Sequence, residues 1–244
     1  MFQRSFGHAI AFGGDHKHRF IDCYVEGERR RTDDILEEER GPAYEADFEN
    51  VWNDEKIQPG DSLSLVEDTI RAYPTKSPQR GHTGGELEVL GCTIKKTRSA
   101  VQPLLGFYED DVYVWGTTLL GNSACLLMPT GGTVENCSAD FEHGMALHMP
   151  ISPETDRGSA DVDVELTLLP SGTEFAHPTW LSEPTAAEVF GTGHEITFRV
   201  EEDLGLEGTQ DLPPIKIGGS DITLENQSVL PIQLTEDAQN CAIT

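Results

Sequence analysis

The chain has 244 residues, with 17 Lys or Arg against 43 Asp or Glu, a formal net charge of −26 at pH 7. Such a surface repels itself in dilute buffer and is tolerated where molar salt cuts the Debye length to about 3 Å. The composition therefore points to a halophile-adapted, acid-coated protein and away from nucleic acid as a direct partner; because the acids alternate with apolar residues instead of forming a tail, it also excludes a disordered chain.

In chain order, Met1 to Phe6 lead straight into strand-like sequence with no secretory signal pattern, so the expectation is a protein made in the cytoplasm. No window approaches about 18 consecutive apolar residues, and no transmembrane segment is expected. His16-Lys17-His18 follows a Gly-Gly-Asp turn, and alternate strand residues share a face, so His16 and His18 could hold a metal with Asp22 as third ligand. The His-x-His pair resembles the first metal motif of cupins. It departs from that motif at Ile10, where a Gly would stand, and at Asp22, where a Glu would stand, and no second motif follows. Read blandly, these are solvated turn residues, and no cofactor is expected.

Arg29-Arg30-Arg31 is the one basic cluster. It suits the inner face of an assembly or a contact to anionic lipid, or else intramolecular pairing with Asp33, Asp34 and Glu37–Glu39. Residues 28–56 hold 11 acids and 5 bases, and Thr32–Arg40 within them reads as a short helix capped by Thr32 or Asp33. Residues 73–85 read as an exposed loop.

Strand signals dominate the remainder. Period-2 alternation appears in Leu87-Glu88-Val89, in Val112-Tyr113-Val114, and without a break over 161–168, where Val162, Val164, Leu166 and Leu168 are predicted inward and Asp161, Asp163, Glu165 and Thr167 outward. It recurs at Ile196–Val200, Ile222–Leu224 and Ile232–Leu234, with a weaker helical signal near Thr185–Phe190. Gly121-Asn122-Ser123-Ala124-Cys125 has the outline of a nucleophile elbow, but strand-like sequence follows it where an elbow requires a helix. His143 and His148, five apart, suit neither a strand face nor a helix face. The five cysteines are scattered without a CxxC pair, which argues for reduced, mostly buried thiols.

About ten short strands with one wet face each imply an all-β fold, an antiparallel β-sandwich or jelly-roll-like barrel with one short helix in the acidic N-terminal insertion. The division expected is residues 1–56 as an N-terminal arm plus insertion and 57–244 as the main domain. No repeat of about 20–50 residues is evident, which weighs against propellers and solenoids.

With no convincing catalytic constellation, the functional expectation is a structural assembly subunit and not an enzyme. It would be a capsid, shell or tail protein in the virion of a virus infecting a halophile, associating with itself and with other subunits in high salt. The alternatives are a metal-dependent enzyme on a β-barrel using His16, His18 and Asp22, or a carbohydrate- or partner-binding module with its site around Trp115 or Trp180.

Overall fold

Alternating sequence buries one face of most strands whose burial is described, and the computed structural model shows how those faces meet. It describes residues 10–13, 17–31, 62–64, 68–73, 86–97, 99–103, 112–127, 132–149, 160–170, 184–200, 204–206 and 212–244. One sheet runs in the order β1 (Ile10–Gly13), β6 (Asp68–Tyr73), β9 (Ser99–Pro103), β12 (Ala124–Leu127), β14 (Met145–Met149), β16 (Ala187–Val189), β18 (Ile215–Ile217) and β20 (Ile232–Leu234). The other runs β2 (Lys17–Ile21), β7 (Glu86–Leu90), β10 (Val112–Trp115), β13 (Thr133–Ala139), β15 (Asp163–Leu168), β17 (Glu195–Val200), β19 (Thr223–Asn226) and β21 (Ala242–Ile243). Short strands β3 (Tyr24–Glu26), β8 (Thr93–Lys95) and β11 (Thr118–Leu120) extend the second sheet alongside the end of β13. Every pairing in both sheets is parallel. The antiparallel exception is a separate ribbon of β4 (Arg29–Arg31) with β5 (Ser62–Ser64).

The chain visits the two sheets in turn and lays each new strand beside the last one in that sheet. This is a parallel β-solenoid of eight rungs, in which each rung rests on its neighbours in sequence order. The jelly-roll expectation is therefore overturned: the strands are β as expected, but parallel and not antiparallel. Alternation reports which face is buried and says nothing of a neighbour's direction. Parallel sheets usually need helical crossovers that bury both faces. Here no helix occurs among the described residues; the second sheet turns a row of polar residues to water, while on the first sheet Ala100, Cys125 and Ala146, next to the inward Val101, Leu126 and Leu147, are buried as well.

The interior is a set of columns. In the second sheet Phe20, Val89, Val114, Val134, Val164, Ile196, Leu224 and Ile243 stand in register on consecutive strands. In the first sheet Ile10, Ile70, Val101, Leu126, Leu147, Ala187, Ile215 and Ile232 do the same. Between the ends these side chains are almost fully buried, Val89, Leu126, Ile215 and Leu224 at 0% exposure. Each buried aliphatic side chain contributes about 1.5–3 kcal/mol against solvent exposure.

Corners, not hairpins, turn the chain from face to face. Asp22, Gly91, Gly116 and Asn136 occupy one stacked corner, and all four have positive φ. Asp161, Gly193, Asp221 and Asn240 form a second, just after the bridged residues Ala160, Thr192, Ser220 and Gln239. Only Gly, and more rarely Asn or Asp, takes this left-handed conformation at low cost. At Gly91 the space is restricted as well, since an added Cβ would lie 2.7 Å from Asp22 Oδ1 on the rung before.

These corners carry the repeat that the sequence reading missed. Ile21-Asp22-Cys23-Tyr24, Leu90-Gly91-Cys92-Thr93, Trp115-Gly116-Thr117-Thr118 and Glu135-Asn136-Cys137-Ser138 are equivalent segments of four rungs. Their spacing drifts from 25 residues (Gly91 to Gly116) to 20 (Gly116 to Asn136), so no fixed period shows. The residue after the corner points inward. The Cys92 thiol donates to Phe20 O at 3.4 Å and the Cys137 thiol to Glu135 O at 3.3 Å, while the Thr117 hydroxyl donates to Trp115 O at 3.2 Å. All five cysteines are free, and Cys92, Cys125 and Cys137 are buried.

Two smaller expectations also change. Thr185–Phe190 holds strand β16 and not a helix, with Ala187 and Val189 inward. Thr167, expected in water, is 9% exposed beside its register partner Arg199, whose Nε reaches Glu165 Oε1 at 3.0 Å. The inward assignment of Val162, Val164, Leu166 and Leu168 agrees with the structure, none of them more than 2% exposed. The expected helix at Thr32–Arg40 lies outside the described residues, as does the loop expected at 73–85 except for Tyr73, which ends strand β6.

Candidate functional site

Of the three proposed metal ligands, the two that are described, His18 and Asp22, lie on either side of the end of a strand. His16 lies outside the described residues. His18 is on β2, half-buried on the inward side with Phe20, whereas Asp22 sits exposed at the corner with φ 52°. No group of three or more His, Cys, Asp or Glu among the described residues is placed to hold a metal ion. The other described histidines are absorbed locally. His194 is buried, accepts the Val162 N–H on Nδ1 at 3.2 Å and lies 3.0 Å from Phe190 O through Nε2; burial pulls its pKa down, so it is neutral. His148 faces Glu188, its register partner, at 3.2 Å.

The densest polar cluster forms where Arg29 enters the corner after β11. Its Nη2 donates to Gly121 O at 3.1 Å and to Ser123 Oγ at 3.0 Å. The Gly121 N–H donates to both oxygens of Asp140, at 3.0 and 2.8 Å. Burial raises the Asp140 carboxyl to about 6, with Glu142 adding to the rise and the Gly121 N–H and Arg29 opposing it. Burial likewise lowers the Arg29 guanidinium to about 10, which leaves it charged at neutral pH. The adjacent Asn122 reaches back to the preceding rung, where its Oδ1 accepts the N–H and the hydroxyl of Thr97 at 2.9 and 2.8 Å and its Nδ2 donates to Ile94 O at 3.1 Å.

This corner is built to hold the β4–β5 ribbon, not to attack a substrate. Ser123 receives its hydrogen bond from a guanidinium, which cannot act as a general base, and strand β12 follows it where an elbow needs a helix. Burial puts the Cys125 thiol well above its ordinary pKa, so it is an inert thiol. Arg29 of the basic cluster is thus turned into the protein, and the side chains of Arg30 and Arg31 lie outside the described residues. Sequence reasoning overlooked Asp140 and Asn122; each follows a corner on its rung, a signal readable only once the repeat is recognised.

The outward face of the second sheet holds two rows. Arg19, Glu88, Tyr113, Thr133, Asp163, Glu195 and Thr223 stand in one. Ile21, Leu90, Trp115 and Glu135 stand in the next, with Ile21 at 53% and Trp115 at 45% exposure. The Tyr113 hydroxyl donates to Glu135 Oε2 at 2.7 Å. Asp163 has its pKa raised by partial burial and by the carboxylates of Glu195, Glu135 and Glu165. Trp115 is therefore on a strand, not in a loop, and Trp180 lies outside the described residues.

The last rung differs from all of these surfaces. Leu234 and Ile243 continue columns whose previous members, Ile217 and Leu224, are fully buried, yet they are 55% and 37% exposed, with Val229 at 69% nearby. Strands β20 and β21 end their sheets, so one edge of each has no strand beside it among the described residues. No helix of the described residues is long and apolar enough to cross a membrane. No protein-family model matches the chain, and no curated protein shows significant similarity to it.

Proposed function

We propose that this protein is a structural assembly subunit, acting through self-association in high salt, and that its setting is the virion of a virus infecting a halophile. The observation that carries the reading is the last rung, where apolar columns that are closed between their ends stand open beside two strand edges with no neighbour among the described residues. Such an edge is a template for another strand. The acidic coat supports the same reading: a −26 charge opposes association in dilute buffer, and salt removes the opposition without altering the apolar surface. Its partners are then further copies of itself and other subunits of the same particle.

Light scattering across a salt series tests this. Assemblies larger than the monomer are expected in molar salt, dissociating as salt falls toward about 10 mM, where the Debye length is about 30 Å. A monomer at every salt concentration overturns the proposal.

A second reading is favoured by the Ile21–Leu90–Trp115 row with Tyr113 and Glu135 beside it. An exposed indole flanked by carboxylates can stack on a sugar ring and accept its hydroxyl protons, so a glycan-binding face is the alternative. A glycan-dependent rise in melting temperature that Trp115→Ala abolishes would favour it.

A further inference from the structure

Resting on the assembly reading, we infer that the open last rung docks on the first rung of a second copy, so that subunits stack head to tail as one continued solenoid. Both apolar columns begin and end on large apolar residues. In such a stack Ile243 of one copy follows its column into Phe20 of the next, and Ile232 follows its column into Ile10. The strands at both ends run parallel to all the others, so β21 can lie beside β2, and β20 beside β1, at the ordinary strand spacing of about 4.8 Å.

Charge selects this polarity over its rival. The terminal rungs carry exposed Asp221, Glu225, Glu236 and Asp237, and no Lys or Arg follows Lys216. Two such ends facing each other would oppose like charges. The first rung instead presents Lys17 and Arg19, with side chains 39% and 55% exposed. Lys17 pairs with Glu86 at 2.8 Å and Arg19 with Glu88 at 2.6 Å, both on the following rung, so this end is locally close to neutral and accepts an acidic neighbour. The end strands β20 and β21 are only three and two residues long. Short, acid-flanked edges resist pairing in dilute buffer and become usable once salt screens them. The resulting contact is heterologous: one end meets a different end, which builds rods or fibres and not closed pairs.

The test places one cysteine at each end of a chain whose partly exposed native thiols are removed by Cys23→Ser and Cys241→Ser. In a head-to-tail stack Ala242 comes to the register position beside Arg19, because Thr223 pairs with Ala242 and Arg19 begins that same row. Adjacent strands bring Cα atoms within the span a disulfide bridges, about 4.4–6.8 Å. Arg19→Cys and Ala242→Cys chains are mixed in molar salt, oxidised and mapped by peptide mass, with unchanged far-UV circular dichroism confirming the fold of each. A cross-link between the two substituted peptides is expected in the mixture, and none between substituted positions in either chain alone. A self-cross-link of the Ala242→Cys chain would establish tail-to-tail pairing and overturn the inference. Wild-type assemblies in molar salt without the mixed cross-link would overturn the polarity and leave the assembly reading standing. A wild-type monomer in molar salt would remove both. As a readout independent of cysteine, Leu234→Asp with Ile243→Asp should reduce the assembled fraction at least tenfold while preserving the circular dichroism spectrum.

Discussion

Ile217 and Leu234 are register partners on neighbouring strands, occupy one column and have nearly the same volume, yet one is 0% exposed and the other 55%. The same contrast separates Leu224, at 0%, from Ile243, at 37%. Residue type does not distinguish them; position in the stack does. In a solenoid each rung covers the one before it, so a side chain becomes core only when a further rung arrives. The difference teaches that Leu234 and Ile243 continue core columns on a rung with no further strand beside it among the described residues.

The strongest way to break that comparison is to put a charge at both positions. Ile217→Asp buries an unpaired carboxylate and should destabilise by about 4 kcal/mol or more, enough to unfold the chain, whereas Leu234→Asp should stay within about 0.5 kcal/mol. Urea denaturation in constant molar salt, at protein concentrations low enough to keep the chain monomeric, measures both, and equal costs would show that the last rung is covered within the single chain after all.

Next in size is the buried polar corner, which belongs to the covered part of the stack. Asn122→Ala leaves the Thr97 N–H without its acceptor and should cost about 2 kcal/mol. The analogous change at the solvated corner of the last rung, Asn240→Ala, should cost about 1 kcal/mol, mainly from its positive φ.

A pH titration sharpens the contrast further. The Asp140 carboxyl titrates near 6 in the folded chain against 3.8 when unfolded, so between those values the folded state binds more protons. Its contribution to stability therefore declines as pH rises from about 3.8 to about 6 and is constant outside that window. Asp140→Asn should remove this slope while Asn Oδ1 still accepts the Gly121 N–H. Stability curves at pH 3, 4, 5, 6 and 7, a range of about one unit either side of the transition, compare the two chains. An unchanged slope would show that other carboxyls carry it.

The smallest effect is expected on the outward face, where Trp115→Ala should alter stability by less than about 0.5 kcal/mol. A larger loss, seen in the same urea experiment, would mean that the Ile21–Leu90–Trp115 row supports the fold as well as standing in water.

Much of the local structure was legible in the chain. The alternation over 161–168 identified the four inward residues correctly, and the scattered cysteines were correctly read as buried free thiols. The candidate site was less legible. His18 and Asp22 looked like neighbours on one strand face, but a corner at Asp22 ends the strand and turns its carboxylate to solvent. Ser123 was noticed for its glycine-turn context, while its actual partner, Arg29, lies 94 residues earlier, beyond any local pattern. The corner repeat was present in the sequence as Gly-Cys-Thr, Gly-Thr-Thr and Asn-Cys-Ser, disguised by rungs of unequal length.

The amino-acid sequence by itself determined the charge, the strand-forming tendency, which face of most strands is apolar, and where left-handed corners are cheap. These depend on each residue and its immediate neighbours. Only the tertiary structure decided that the strands run parallel, that Arg29 reaches Ser123 and Gly121, and that Ile217 is buried while Leu234 is not. Those outcomes depend on which segments meet in space, a relation between residues some 17 to 94 positions apart that alternation within one strand cannot encode.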